Sequence, residues 1–325
     1  MLLLLSACAP PSTSGDPVAP GAFRVAFISD THVVGPQYVC CSESEGIDNE
    51  SIMDTNDRLA DVIERLNAVD PPPEAVFVLG DITHNAIEFD ELAAYDETET
   101  AWSRASELFA RLDMPSHLVL GNHDYDVNCG EPGEDRREIT HALADRFFGG
   151  LAYDAVDYHG WRFLLANSQL GPTWDAADDR CSTGTGSFGA EQLAWLDAEL
   201  GEGAPSMVLS HHYVPVTRAE EDPEGLVDYA SVLGSHSNLQ LSLAGHAHRW
   251  IDFTPSYTFP HRLVAATRYD ADNFWIVELQ KDGSGYTILD EDKAQDVSTC
   301  ADTWTYNGDP AEDPSAPPES GDCGD

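Results

Sequence analysis

Apolar runs that end abruptly in polar clusters recur along the chain. The first covers residues 23–29 and stops at Asp30, and the second covers 75–79 and stops at Gly80-Asp81. Short apolar runs bounded by turn or polar residues predict buried β-strands. Further strands are predicted at 117–120, 161–167, 207–210 and 239–244, with two or three more within 262–290.

Between these runs, apolar residues recur at helical spacing. Residues 56–69 have this pattern, and the triple proline at 71–73 ends it. Residues 33–55, with their Gly, Pro, Cys and acidic side chains, are predicted as a loop. Further helices are predicted at 88–112 (one helix, or two with a break), 134–147 and 189–200. Alternating strands and helices indicate a layered α/β fold, in which functional groups gather beyond the carboxyl ends of strands.

Five polar clusters lie at the ends of predicted strands. In an extended segment, alternate residues point the same way, so Asp30 and His32 share one side, as do His246 and His248. Imidazoles, carboxylates and one amide form a nitrogen and oxygen ligand set that suits Zn, Mn or Fe. Asp81 has two oxygens with which to bridge two ions. The candidate metal ligands are Asp30, His32, Asp81, Asn122, His211, His246 and His248.

The charge balance argues against one class of partner. The 325 residues include 16 Lys and Arg against 58 Asp and Glu, a formal net charge of -42. Such a field repels nucleic acid and anionic membrane surfaces. An anionic substrate would need local positive charge, and two bound metal ions would supply it.

The N-terminal residues MLLLLSAC contain an apolar run too short to span a membrane. Their ending, Leu5-Ser6-Ala7-Cys8, resembles the lipobox of bacterial lipoproteins, although the basic start of a signal peptide is missing. We therefore expect an exported cell-envelope lipoprotein, periplasmic or on the cell surface, held to the membrane by a lipid on Cys8. The expected segments are a signal segment (1–8), a flexible tether (9–21), a folded domain (22–292) and an acidic Pro-rich tail (293–325).

Six cysteines remain, and export would allow them to form disulfides. The sequence does not give their pairing, and no CxxC spacing indicates a zinc site. Cys300 and Cys323 bracket the tail and are candidates to staple it. The six are Cys40, Cys41, Cys129, Cys181, Cys300 and Cys323.

In their residues and their order, the five clusters resemble those of the calcineurin-like metallophosphoesterase superfamily over roughly residues 23–280. The resemblance implies a four-layer αββα sandwich, in which two mixed sheets are flanked by helices. The matching motifs are Asp30-Thr31-His32, Gly80-Asp81-Ile82-Thr83-His84, Gly121-Asn122-His123-Asp124, Ser210-His211-His212 and Gly245-His246-Ala247-His248.

The resemblance also implies roles for these residues. A hydroxide bridging two divalent or trivalent ions would attack phosphorus. His123 would contact the phosphoryl group and help to protonate the leaving oxygen, with Asp124 orienting its ring. One metal would be held by Asp30, His32, Asp81 and His248, and the other by Asp81, Asn122, His211 and His246.

Three neighbouring residues have less defined roles. His84 stands where purple acid phosphatases have a metal-binding tyrosine, so a tyrosinate–iron site is not expected, and His84 is predicted to line the site rather than to bind metal. Asn85 and His212 are candidate substrate contacts, and packing is an equal alternative for His212.

The expected function is dinuclear metal-dependent hydrolysis of a small phosphodiester or phosphomonoester. The diester is favoured, because the HxH ending and the absent tyrosine are similar to small bacterial phosphodiesterases. No protein partner is predicted. One alternative is a non-catalytic metal-binding surface module, but such a module would not need both His123 and Asp124. Another is a nuclease, which the negative charge disfavours.

Overall fold

The computed structural model describes residues 18–39, 46–125, 129, 137–150, 152–175, 177–222 and 225–296. The predictions for the signal segment, for most of the tether and for nearly all of the tail lie outside these residues, as do those for Cys8, Cys40, Cys41, Cys300 and Cys323. Cys129 and Cys181 form a disulfide. Within the described part of the chain, no helix is both long enough and apolar enough to span a membrane.

The strands and helices are numbered along the chain. The strands are β1 (Ala22–Ile28), β2 (Val76–Leu79), β3 (Ser116–Val119), β4 (Asp154–Tyr158), β5 (Trp161–Leu165), β6 (Ser206–Leu209), β7 (Glu220–Asp222), β8 (Gly225–Val227), β9 (Leu239–Ala244), β10 (Ile251–Asp252), β11 (His261–Leu263), β12 (Trp275–Gln280), β13 (Tyr286–Ile288) and β14 (Gln295–Asp296). The α-helices are α1 (Gly46–Asn67), α2 (Ala94–Glu97), α3 (Ala101–Phe109), α4 (Arg137–Phe148), α5 (Ala190–Gly201) and α6 (Tyr229–Gly234).

Two mixed sheets form the centre of the molecule. The first has the order β13-β12-β1-β2-β3, and the second has the order β14-β10-β11-β9-β6-β5-β4. Strands β1, β2 and β3 are parallel, as are β5, β6, β9 and β11. Parallel strands bring their carboxyl ends to the same edge, so the polar clusters after β1, β2 and β3 meet there, and those after β6 and β9 meet on the second sheet.

Alternation of side chains assigns each sheet an inner and an outer face. Phe27 of β1 stacks on Phe77 of β2, with ring centroids 5.4 Å apart, and Phe77 stacks at 4.5 Å on Phe163 of the second sheet. These rings belong to an apolar cluster between the two sheets. Their sequence neighbours Ile28 and Val78 lie in a different cluster on the outer face.

Helices cover both outer faces. Buried residues of α1, α3 and α4 pack on the first sheet, and those of α5 and α6 pack on the second. The four layers are therefore helix, sheet, sheet and helix, which confirms the predicted αββα sandwich of two mixed sheets.

The start of α1 differs from the sequence prediction. The predicted loop 33–55 contains the first turns of this helix, which begins at Gly46. Tertiary contacts account for the extension: Ile52 is buried, and the buried Thr55 hydroxyl donates to the main-chain carbonyl of Thr31 at 2.5 Å. At the other end of the domain, β14 pairs with β10, so the second sheet continues beyond residue 292 to Asp296.

Candidate metal centre

Five side chains of the candidate site extend from strained main chain. A positive φ is uncommon outside glycine, and it persists where the surrounding structure over-determines the backbone. The φ values are 52° for Asp30, 46° for His32, 49° for Asp81, 70° for His246 and 59° for His248. Such clustering of strain indicates that contacts of the side chains hold the main chain here in an unfavourable conformation.

Main-chain hydrogen bonds hold the strand ends together. The N–H of Asp30 donates to Gly80 at 3.1 Å, and that of His32 donates to the carbonyl of Asp81 at 2.8 Å. The close approach of the strand ends after β2 and β3 also requires glycine at position 121, because a Cβ on Gly121 would overlap the carboxylate of Asp81. The motif glycines are therefore packing requirements of the site.

Asp30, His32, Asp81 and His248, here called the first group, come together as predicted. Their ligand atoms all lie within 4.8 Å of one another. His248 Nε2 lies 3.3 Å from Asp30 Oδ1 and 3.3 Å from His32 Nε2. His32 Nε2 lies 3.6 Å from Asp81 Oδ2.

Asp81, Asn122, His211 and His246, here called the second group, also converge. His211 Nε2 lies 3.3 Å from Asp81 Oδ2 and 3.1 Å from Asn122 Oδ1. His246 Nδ1 lies 3.0 Å from the same Asn122 oxygen. His211 Nδ1–H donates to the carbonyl of Leu79 at 2.8 Å, so in the neutral ring Nε2 presents a lone pair to these oxygens.

Both groups fit a first-row divalent or trivalent ion. Lone-pair atoms that face one another, such as His211 Nε2 and Asn122 Oδ1, repel unless a cation or proton lies between them. Ligand atoms about 2.0–2.2 Å from one ion lie about 3–3.6 Å from each other in tetrahedral or octahedral geometry. The observed separations fall in that range.

The two groups share one atom of Asp81. Its Oδ2 faces both His32 and His211, whereas Oδ1 accepts the main-chain N–H of His123 at 2.9 Å. A bridge would therefore use a single carboxylate oxygen rather than the two expected from the sequence.

Electrostatics place most of these side chains in the forms that bind metals. Burial lowers the pKa of His32 well below its usual value, and the cationic Arg268 adds to this effect. Burial, reinforced by His211, lowers the pKa of His246 to about 3. Burial alone would raise the pKa of Asp81, but His211 and His123 outweigh it and lower that pKa well below its usual value. Neutral imidazoles thus face ionised carboxylate.

His211 has the opposite balance. Burial acts to lower its pKa, but the carboxylates of Asp81 and Asp30 raise it to about 9. A proton therefore competes with a metal ion for this ring at neutral pH.

His123 lies next to the shared carboxylate, partly exposed and outside both ligand groups. Its Nδ1–H donates to the main-chain carbonyl of His84 at 3.0 Å, and the two rings stack at 5.0 Å. The contact of the remaining ring nitrogen, Nε2, with a phosphoryl oxygen stays a prediction.

Asp124 does not orient the His123 ring, and that part of the sequence prediction is wrong. Its buried carboxylate is turned to four other donors, which are the N–H groups of Gly121 (2.8 Å), Ile82 (3.2 Å) and Thr83 (2.9 Å) and the Thr83 hydroxyl (3.0 Å). Burial and the nearby Asp81 raise the pKa of Asp124 to about 6. Asp124 therefore ties the strand end after β3 to the strand end after β2.

His212 lies behind the second group. It is buried, its ring is 4.2 Å from that of His246, and both of its nitrogens have protein partners: Ser168 Oγ at 2.8 Å and the Thr183 carbonyl at 3.3 Å. This position supports packing, the second of the two roles left open by the sequence. Asn85 is half-buried, and its substrate contact stays a prediction.

Sequence reasoning missed Arg268, a buried cation whose charge lowers the pKa of both His32 and His248. It follows the last motif by 20 residues, and no local signal marks it. Hydrogen bonds from Thr267 to the Ser29 carbonyl, from its main-chain N–H at 2.9 Å and its hydroxyl at 3.0 Å, bring this segment to the end of β1.

Comparisons with known proteins agree with this geometry. The model of the calcineurin-like phosphoesterase family matches residues 23–250. A probable cyclic nucleotide phosphodiesterase of Synechococcus sp. is 26% identical over 227 residues, which cover 65% of this chain and 80% of that protein. A probable glycerophosphodiester phosphodiesterase of Arcobacter nitrofigilis is 23% identical over 281 residues, 83% of this chain and 86% of that protein. Among solved structures, a dimetal phosphatase of Danio rerio shares the fold at 20% identity, with a TM-score of 0.51 over 84% of this chain and 99% of that one.

Proposed function

Because the chain belongs to the calcineurin-like phosphoesterase family, we propose that it hydrolyses small phosphodiesters at two metal ions, one in each ligand group. The observation that carries this proposal is the single Asp81 oxygen that faces both groups, with the phosphoryl-contacting candidate His123 held beside it. Two ions there would polarise the phosphoryl oxygens and lower the pKa of water. The nitrogen and oxygen ligand set favours Zn, Mn or Fe.

The protein's own side chains have separable tasks in this proposal. His123 directs Nε2 towards the substrate, because its other nitrogen is held by the His84 carbonyl. When the ring carries a proton on both nitrogens, Nε2–H would donate a hydrogen bond to a phosphoryl oxygen and then pass its proton to the leaving oxygen, which leaves a neutral ring with its proton on Nδ1. Asp124 keeps the two strand ends in register and does not touch the substrate.

Two observations favour a diester over a monoester. The relatives include a probable cyclic nucleotide phosphodiesterase and a probable glycerophosphodiester phosphodiesterase. The net charge of -42 also opposes the approach of a dianionic monoester more than that of a monoanionic diester. The same charge disfavours a long polyanion such as nucleic acid.

The test is hydrolysis of a chromogenic aryl phosphodiester beside its monoester. Protein stripped of metal is reconstituted with Mn, Zn or Fe, and a chelated sample is the control. Metal-dependent turnover with the diester ahead is expected. Protein that binds two ions and hydrolyses neither ester, nor a cyclic nucleotide or a glycerophosphodiester, would overturn the proposal in favour of a non-catalytic metal-binding module.

We further propose export to the cell envelope through a lipid on Cys8. The disulfide between Cys129 and Cys181 supports an oxidising compartment, since such bonds are rare in reducing cytosol. Replacement Cys8→Ser should release the protein from the membrane fraction. Unchanged membrane association of that variant would rule out the lipid anchor.

A further inference from the structure

The ring of His84 lies against Nδ1 of His32, the ring nitrogen of this first-group ligand that faces away from the other ligands. His32 Nε2 faces the other members of the first group, so Nε2 is its metal-binding nitrogen. His32 Nδ1 lies 3.2 Å from His84 Nδ1. A neutral imidazole that offers Nε2 to a metal carries its proton on Nδ1, so this contact is a hydrogen bond that His32 donates to His84.

We propose that His84 is a positioning residue that orients His32 and strengthens metal binding by the first group. The inference rests on the proposed dinuclear function. A hydrogen-bond acceptor on the outer nitrogen fixes the tautomer and the ring orientation of a histidine ligand and makes it more basic.

The geometry separates two roles within one residue. The His84 side chain contacts His32, whereas its main-chain carbonyl holds His123. The His84 ring is itself fixed, because it stacks on His123 at 5.0 Å and meets the edge of Tyr38 at 5.2 Å. A substitution at this position therefore removes the support of His32 but keeps the carbonyl that holds His123.

The second group provides a contrast. Its ligand His211 is oriented by the main-chain carbonyl of Leu79 rather than by a side chain. No side-chain substitution removes that acceptor, so a change at His84 should affect one metal and leave the other.

The experiment compares His84→Asn with His84→Leu. The Asn Oδ1 is two bonds from Cβ, as is the His Nδ1, so it accepts the same hydrogen bond, whereas Leu fills similar space without an acceptor. Each folded variant is titrated with Mn and Zn by calorimetry, and its metal content is measured after dialysis. We expect His84→Leu to lower the affinity for one of the two ions about 10–100-fold. His84→Asn should bind both ions close to wild-type affinity.

Activity gives a second readout. Excess metal should restore the turnover of His84→Leu with KM unchanged. It should not restore the turnover of His123→Leu. Equal weakening by Asn and Leu, loss of both ions together, or wild-type affinity in His84→Leu would each overturn the proposal. Because the titration needs no substrate, it decides the role of His84 even if the protein hydrolyses no ester and the proposed function fails.

Discussion

At the scale of the residue, His123 differs from its neighbours because its side chain lies outside both ligand groups, although its ring meets that of His32 edge-on at 4.7 Å. Its N–H donates to Asp81, and its ring is held by the His84 carbonyl. The replacement His123→Ala keeps the N–H, so metal content should remain near two ions. The rate should fall about 10²–10⁴-fold, most for esters with poor leaving groups, because these need the proton most. Metal analysis and a series of aryl diesters measure both effects.

The matched control is Asn122→Ala, which removes a side-chain oxygen of the second group. That variant should lose affinity for one ion and activity together. If His123→Ala emptied the site of metal, the division of roles between these adjacent residues would be wrong.

The raised pKa of His211 predicts a pH dependence of metal binding. With its pKa raised to about 9, the ring is protonated at pH 7, and an ion entering the second group must displace that proton. Affinity at this group should therefore rise about tenfold per pH unit between pH 7 and 9 and then level off. Calorimetry in buffers of different ionisation enthalpy should show about one proton released per ion at pH 7.

The first group supplies an internal comparison. Burial lowers the pKa of His32 and of His248, so both are already deprotonated at pH 7. The ion bound there should release no proton from these rings. Equal pH dependence at both groups would contradict the assigned protonation of His211.

At the scale of the element, Asp124 connects strand ends that carry ligands for both groups. At pH 7 its carboxyl, with a pKa raised to about 6, is largely ionised and accepts from four donors. Asp124→Ala would leave buried N–H groups without partners and should lower the free energy of unfolding by about 2–4 kcal/mol. Urea unfolding of chelated protein measures this loss.

Asp124→Asn is the milder variant. It keeps one acceptor oxygen and should lose less stability than Asp124→Ala, with metal stoichiometry unchanged. If both variants unfolded like the wild type while turnover collapsed, Asp124 would have a direct catalytic part that its contacts do not show.

The sequence predicted strands and helices correctly where the apolar pattern within the segment itself marks their bounds. Strand β9 matches its predicted bounds, since its apolar run ends at Gly245. The first turns of α1 were predicted as loop, because what orders them is the contact of Thr55 with Thr31, 24 residues earlier. Two-residue strands such as β10 and β14 have no period to detect, and distant pairing alone defines them.

Site prediction followed the same division. All seven candidate ligands converge, because each follows a strand whose end the apolar pattern marks. The missing parts are main-chain or long-range, namely the His84 carbonyl that holds His123 and the charge of Arg268 near His32. A residue-type motif does not encode either of them.

At the scale of the whole molecule, the net charge of -42 acts on every anionic substrate before it reaches the site. Two bound ions would add positive charge locally, but at long range the negative field dominates. Added salt screens exposed charges over about 10 Å at 0.1 M, so it should relieve this repulsion. The value of kcat/KM should therefore rise with ionic strength, and it should rise more for a dianionic monoester than for a monoanionic diester. The value of kcat should change little, because it describes substrate that is already bound and no longer has to approach the negatively charged protein.

Steady-state kinetics from about 0.02 to 0.3 M salt measure the slope for each ester. Acetate in place of chloride separates screening from binding of chloride at the metals. A fall of kcat/KM with salt for both esters would mean that the positive charge of the metal site, rather than the negative charge of the protein surface, dominates the field that an approaching ester meets. The charge would then not account for a preference for diesters, and that preference would have to come from contacts inside the site, where Asn85 and Arg268 are the side chains to replace first.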